Sequence, residues 1–240
     1  MPNWCDNTIT IEGEATTLFY MDQTMRSEGH EVVSDDDPAM GQPMLLIPMP
    51  EVLRGTRSPT PVGEYDPEGK WMEWVNDPDN EFWTAEKYEA DQAEHYALIE
   101  RAERAKAETG YADWYSWASD EWGTKWSMDV YSYTYATDSE TITISGSTAW
   151  GPPIALLEKV SQKYGVKVSL TYVEEGMDFI GASVIIDGES YDSSGSFSDH
   201  LPEGFDWDDE DAWEIRDDVR GTLIDHHEGI AAMEASLVTS

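Results

Sequence analysis

The chain of 240 residues is 40% hydrophobic, enough to bury a core, and sets 50 Asp and Glu against 14 Lys and Arg, for a formal charge of −36. So acidic a chain excludes direct binding of bare DNA, RNA or an anionic membrane, because phosphate contacts need Lys and Arg, and it favours basic partners. The single cysteine, Cys5, rules out an internal disulfide and a cysteine-based zinc site, and no apolar run is long enough to span a membrane. The expectation is a soluble, cytoplasmic protein without a cofactor.

The opening "NWCDNTITIEG" alternates Cys5, Asn7, Ile9 and Ile11 against Trp4, Asp6, Thr8 and Thr10, the period of a strand with one buried face. Residues 15–27 follow with Leu18, Met21 and Met25 at helical spacing, closed by Gly29. Asp35, Asp36 and Asp37 precede a short apolar run, Met44 to Ile47, bounded by Pro43 and Pro48, which reads as a second strand cut off by prolines. Residues 54–70 are rich in Gly, Pro, Ser and Thr without periodicity, and predict an exposed loop.

Residues 79–109 are rich in Ala and Glu and stop at Gly110, predicting a long helix whose Arg101, Arg104 and Lys106 pair with Glu100, Glu103 and Glu108 on a solvated face. In "DWYSWASDEWGTKW", Trp114, Trp117 and Trp122 share one side of a helix ended by Gly123, and Trp126 starts a strand, so these indoles are expected mainly in the core. Lys125 between two of them suits a cation–π contact. Two antiparallel strands turn at Thr137–Ser139, and then comes a helix with Leu156, Leu157, Val160 and Tyr164 on one stripe. A strand carrying Val166, Val168, Leu170 and Tyr172 follows, and a further one over 178–187, expected at the edge, ends in an Asp-Gly turn.

Strand, helix, strand, strand, helix, strand is the pattern of an α+β, ferredoxin-like split βαβ sandwich. Its domain is expected over 1–199, with an inserted loop and helix over about 30–125 that partly covers the second sheet face, and with an acidic extension over 200–240.

"NWCDNTITIEG", "WGTKW" at 122–126, "TAWGPP" at 148–153 and "YVEEGMDFIG" at 172–181 together resemble a family of phage and mobile-element proteins with a ferredoxin-like C-terminal domain. The resemblance spans roughly 1–12 and 111–187. It implies the same fold, a virus-encoded origin and an accessory role, and it brings no established enzymatic activity.

Beside cation binding, two accounts of the acidity stay open: salt adaptation, or carboxylates standing in for phosphates on a rigid surface. In the second account the partner-binding residues are Asp206, Trp207, Asp208, Asp209, Glu210, Asp211, Trp213, Glu214, Asp217 and Asp218, opposed nearby only by Arg216 and Arg220. The carboxylates supply attraction and on-rate, and the indoles supply anchoring area. The expected partner is a host protein with a basic cleft, such as RNA polymerase, a termination factor or a defence nuclease. Asp225, His226, His227 and Glu228 offer metal-ligand chemistry for the alternative of a metal-dependent hydrolase, although adjacent histidines diverge on a helix and no His-x-x-x-His pair gathers them. A virion or structural interaction module is a third class. Cys5 with His30, His95 or His200, and the pair Glu174 and Glu175, lack any supporting catalytic motif, so a non-enzymatic protein is expected.

Overall fold

The computed structural model describes residues 3–27, 42–77, 80, 82–206 and 211–238. They fall into two compact units, Met1–Pro48 with Ser119–Ser240, and Met49–Ala118.

The first unit is built on a six-stranded antiparallel sheet. Its core follows the expected order: strand β1 (Trp4–Glu12), helix α1 (Ala15–Met25), strands β2 (Asp129–Ala136) and β3 (Thr141–Ala149), helix α5 (Ile154–Tyr164) and strand β4 (Lys167–Glu174). Three helices of the insertion, α2 to α4, are described below. Strands β5 (Phe179–Ile186) and β6 (Glu189–Gly195) extend the sheet, giving the spatial order β2-β3-β1-β4-β5-β6. With β1 between β3 and β4 and β2 outside β3, the first four strands have the ferredoxin-like arrangement.

The two-residue period decides the layers. Cys5, Asn7, Ile9 and Ile11 are all buried, opposite Thr148, Gly146, Ile144 and Ile142 of β3. Leu18, Met21 and Met25 of α1 and Leu156, Leu157 and Val160 of α5 are buried with them. Each such side chain contributes about 1.5–3 kcal/mol on leaving water, so this face supplies most of the cohesion. The other face of β1 and β3 is polar, with Thr8 exposed and Thr10, Thr143, Ser145 and Ser147 half-buried.

Towards β4, β5 and β6 the same side of the sheet is covered by the C-terminal segment, where a long helix, α6 (Ala212–Val238), packs on the strands. The described residues between 200 and 240 belong to the first unit. β5 is internal and β6 forms the edge, joined through Asp187 and Gly188, whose φ values of 54° and 85° are the paired positive angles that a tight hairpin requires. β6, "ESYDSSG", escaped the hydrophobic pattern because an edge strand is kept polar. The run at 43–46 is a 3-10 turn with Pro43, Met44 and Leu46 buried, not a strand, since its prolines lack the donors of a ladder.

In the second unit, α2 (Lys70–Val75) lies just beyond the expected loop, followed by α3 (Ala85–Thr109). Thr84 caps α3 by accepting a hydrogen bond from the Lys87 amide, and Gly110, at φ 88°, ends it. Only Ala102 and Ala105 of α3 are buried, so its long sides stay in water. Within the loop, Thr56 is buried, its hydroxyl donating to the Leu53 carbonyl and accepting from the Trp114 amide. Helix α4 (Trp114–Glu121) begins at Asp113, whose carboxylate accepts from the amide and the hydroxyl of Ser116.

Gly146 tests how tightly the sheet is closed. A Cβ there would stand 2.4 Å from the Asp129 carbonyl oxygen and 2.8 Å from Met128 Cε, beside the register shift between Val130 and Ser132. Gly146→Ala is expected to cost about 1–3 kcal/mol by pushing β2 away, read as a lower urea midpoint with an unchanged m-value.

Candidate functional site

From Ala212 on, the expected binding segment is the start of α6, which packs on the sheet. Ala212, Leu223, His227, Ala231 and Ala235 are its buried residues. Leu223, with half-buried Val219 and Ile224, packs on Val173, Ile180 and Phe197, while Ala231 and Ala235 meet Val184. The two alanines have no side chain beyond Cβ, which lets the helix backbone approach the strands closely.

The opposite side carries exposed Glu214, Asp217, Asp218, Asp225 and Glu228. At 3.6 residues per turn these fall within an arc of about 100° and run along about 21 Å of axis. The two arginines of the segment do not oppose them. Arg216 Nη1 donates to Glu175 Oε2 at 3.3 Å, and Arg220 Nη2 lies 3.9 Å from Asp6 Oδ2, so both cations tie the helix to the sheet. Among the described residues no Lys or Arg forms an ion pair with Glu214, Asp217 or Asp218. Asp206 and Asp211 are exposed nearby. Trp207, Asp208, Asp209 and Glu210, and the side chain of Trp213, lie outside the described residues, as do Asp35, Asp36, Asp37 and His30.

The cluster at 225–228 does not converge. His227 turns inward while Asp225, His226 and Glu228 face out. No group of three His, Cys, Asp or Glu among the described residues is placed to hold a metal ion. Burial, then neighbouring Asp225, raises the Glu228 carboxyl above its ordinary pKa. Glu174 and Glu175 are separately engaged: Glu174 accepts the amides of Gly176 and Met177 in the β4–β5 turn, and Glu175 accepts from Arg216. Cys5 is wholly buried, and burial, followed by the charges of Asp6 and Glu174, pushes its thiol pKa far up, against thiolate chemistry at neutral pH.

The tryptophans divide. Trp117 and Trp122 are core, and Trp122 Nε1 donates to the Ile47 carbonyl at 2.8 Å. Trp114 and Trp126 are only half-buried. Trp126 meets Trp4 at 6.0 Å between ring centroids, and Lys125 Nζ sits 4.6 Å from the Trp126 ring and 5.3 Å from that of Trp150. Trp4 and Trp150 are 46% and 45% exposed.

Trp150 holds φ 72°, uncommon for so bulky a residue, with its amide donating to the Asn3 carbonyl. Beneath it, Asn7 Nδ2 donates to Thr148 Oγ1 at 2.8 Å, and Thr124 Oγ1 donates to the Ala149 carbonyl at 3.1 Å. Three segments far apart in sequence, "NWC", "WGTKW" and "TAWGPP", thus meet at one end of the sheet. Trp4 and Trp150 were not grouped with the indoles of 113–126 in the sequence. The available signal was the recurrence of Trp in all three motifs, beside Asn in the first and beside Gly in the other two.

His227 makes the docking of α6 pH-dependent. Its Nδ1 lies 2.8 Å from Ser193 Oγ, and its buried Nε2 has no partner. Burial first, then His226 and His200, lowers its pKa below the ordinary 6.5, so the folded protein favours the neutral ring. The stabilisation is therefore complete above the unfolded-state pKa and is lost as pH falls below it towards the lowered folded value. Denaturant titrations at pH 7.5 and pH 5.5 should show wild type losing more stability than His227→Gln on acidification, and hydrogen exchange should place the loss in α6.

Residues 122–217 match the family described as the ferredoxin-like domain in Api92-like protein. No curated protein matches the chain. A crystal structure of protein Api92 from Yersinia pseudotuberculosis is 14% identical, aligning over 82% of this chain and 98% of that one with a TM-score of 0.43. Helix α5, strands β2 to β6 and the first turns of α6 thus lie within a segment similar to the ferredoxin-like domain of Api92-like proteins.

Proposed function

We propose that the protein is a non-enzymatic, phage-type accessory protein that acts in the bacterial cytoplasm by binding a host nucleic-acid-handling protein, with the outer face of α6 occupying a basic cleft. The target class is RNA polymerase, a termination factor or a defence nuclease, whose clefts ordinarily hold phosphates. The observation that carries this reading is the row Glu214, Asp217, Asp218, Asp225 and Glu228, exposed on a helix whose own arginines are turned to Glu175 and Asp6. Carboxylates held on a rigid scaffold lose little conformational entropy on binding, and their uncompensated charge steers a basic surface towards them. A charge excess due only to salt adaptation has no need to turn the cations of the helix away from Glu214, Asp217 and Asp218.

The test uses the full chain as bait in a host lysate at low and high salt, followed by titration of the retained protein after its purification. Simultaneous Glu214→Lys, Asp217→Lys and Asp218→Lys should weaken binding by at least about tenfold at low salt, the difference closing as salt screens the charges. Duplex DNA should compete for the same surface. An interaction indifferent to ionic strength and to the triple substitution would sink the proposal.

A further inference from the structure

The second unit holds a feature that the acidic helix does not explain. An open groove of about 500 Å³ is lined by Glu51, Val52, Arg54, Arg101, Arg104 and Glu108. In a chain with 14 basic residues and a charge of −36, three guanidinium groups here face two carboxylates. The spacing along α3 predicts that Arg101 and Arg104 pair with Glu100, Glu103 and Glu108. Among the described residues neither arginine forms an ion pair.

Arg101 is positioned by the backbone instead. Its Nη1 donates to the Gly55 carbonyl at 2.9 Å. Gly55 has φ +75°, a backbone conformation that favours glycine, and with no side chain it lets the guanidinium lie against its backbone. Arg104 lies three residues further along α3, at the spacing that puts side chains about 5–6 Å apart on one helix face. Across the groove, at the end of a second 3-10 turn (Glu51–Leu53), Arg54 Nε meets Glu51 Oε2 at 3.0 Å, a tether that restrains a third guanidinium at the rim.

We infer that this groove is a binding site for a small, multiply charged oxyanion. The guanidinium fork matches a carboxylate or phosphate group, and two forks one turn apart engage two such groups at once. The charge of the whole chain repels every anion, so only a ligand that makes several charge-assisted hydrogen bonds in the groove overcomes that field. Phosphoryl and polycarboxylate ligands share this chemistry.

The test is isothermal titration of the full-length protein with pyrophosphate and, separately, with citrate, at low ionic strength held constant with sodium chloride. Saturable binding of one equivalent is expected, and the tighter of the two ligands identifies the source of the oxyanion. Arg104→Gln, at an exposed position, should weaken binding about tenfold, and Glu108→Gln should tighten it several-fold, both with the wild-type unfolding midpoint. Absence of saturable binding by either ligand overturns the inference, as does binding that Arg104→Gln leaves unchanged. Neither outcome bears on the salt-dependent binding proposed for α6.

Discussion

β1 is the constraint on which the first unit depends. It is hydrogen-bonded on both sides, to β3 from Trp4 to Glu12 and to β4 from Asp6 to Glu12, so its register sets that of its neighbours. Because side chains alternate strictly, the same nine residues supply Cys5, Asn7, Ile9 and Ile11 to the core and Asp6, Thr8 and Thr10 to the opposite face. A slip of one residue would bury the polar set and expose the isoleucines. The buried Asn7 adds a directional demand: its Nδ2 bonds to the Cys5 carbonyl and to Thr148 Oγ1, contacts available only in this register.

From that strand the surface chemistry follows by geometry. The Asp6 carboxylate, on the polar face, reaches Arg220 of α6, and the Trp4 ring, two residues earlier on the same face, meets Trp126. The C-terminal helix is thus joined to the sheet both by apolar contact with Val173, Ile180 and Val184 and by two ion pairs at its first turns. Exposed pairs of this kind add little stability. Their greater consequence is where they leave charge, since cations held against the sheet leave the outer carboxylates unopposed.

Much of the first unit was legible in the sequence because its signals are local and periodic. Leu18, Met21 and Met25, and Leu156, Leu157 and Val160, mark helical faces that are buried as their spacing requires. The acidic face of α6 was legible only as composition. No pattern in "DWDDEDAWEIRDDVRG" says that Arg216 reaches Glu175 and Arg220 reaches Asp6, because those partners lie 41 and 214 residues away in the chain. β6 was missed for a related reason: an edge strand of serines and carboxylates has no apolar alternation, and its identity depends on a neighbour, β5, that offers it a ladder.

The sequence by itself determined the fold class, the core residues of β1, α1, β3, α5 and β4, and the excess of charge, since each is a property of composition or of spacing within a single element. Only the tertiary structure decided which elements meet. It gathered Trp4, Trp126 and Trp150 around Lys125, dispersed Asp225, His226, His227 and Glu228, and set Arg101 against Gly55 in place of a neighbouring glutamate. The physical reason is that a local period is written in one stretch of chain, whereas a site joins stretches whose distance in sequence bears no relation to their distance in space.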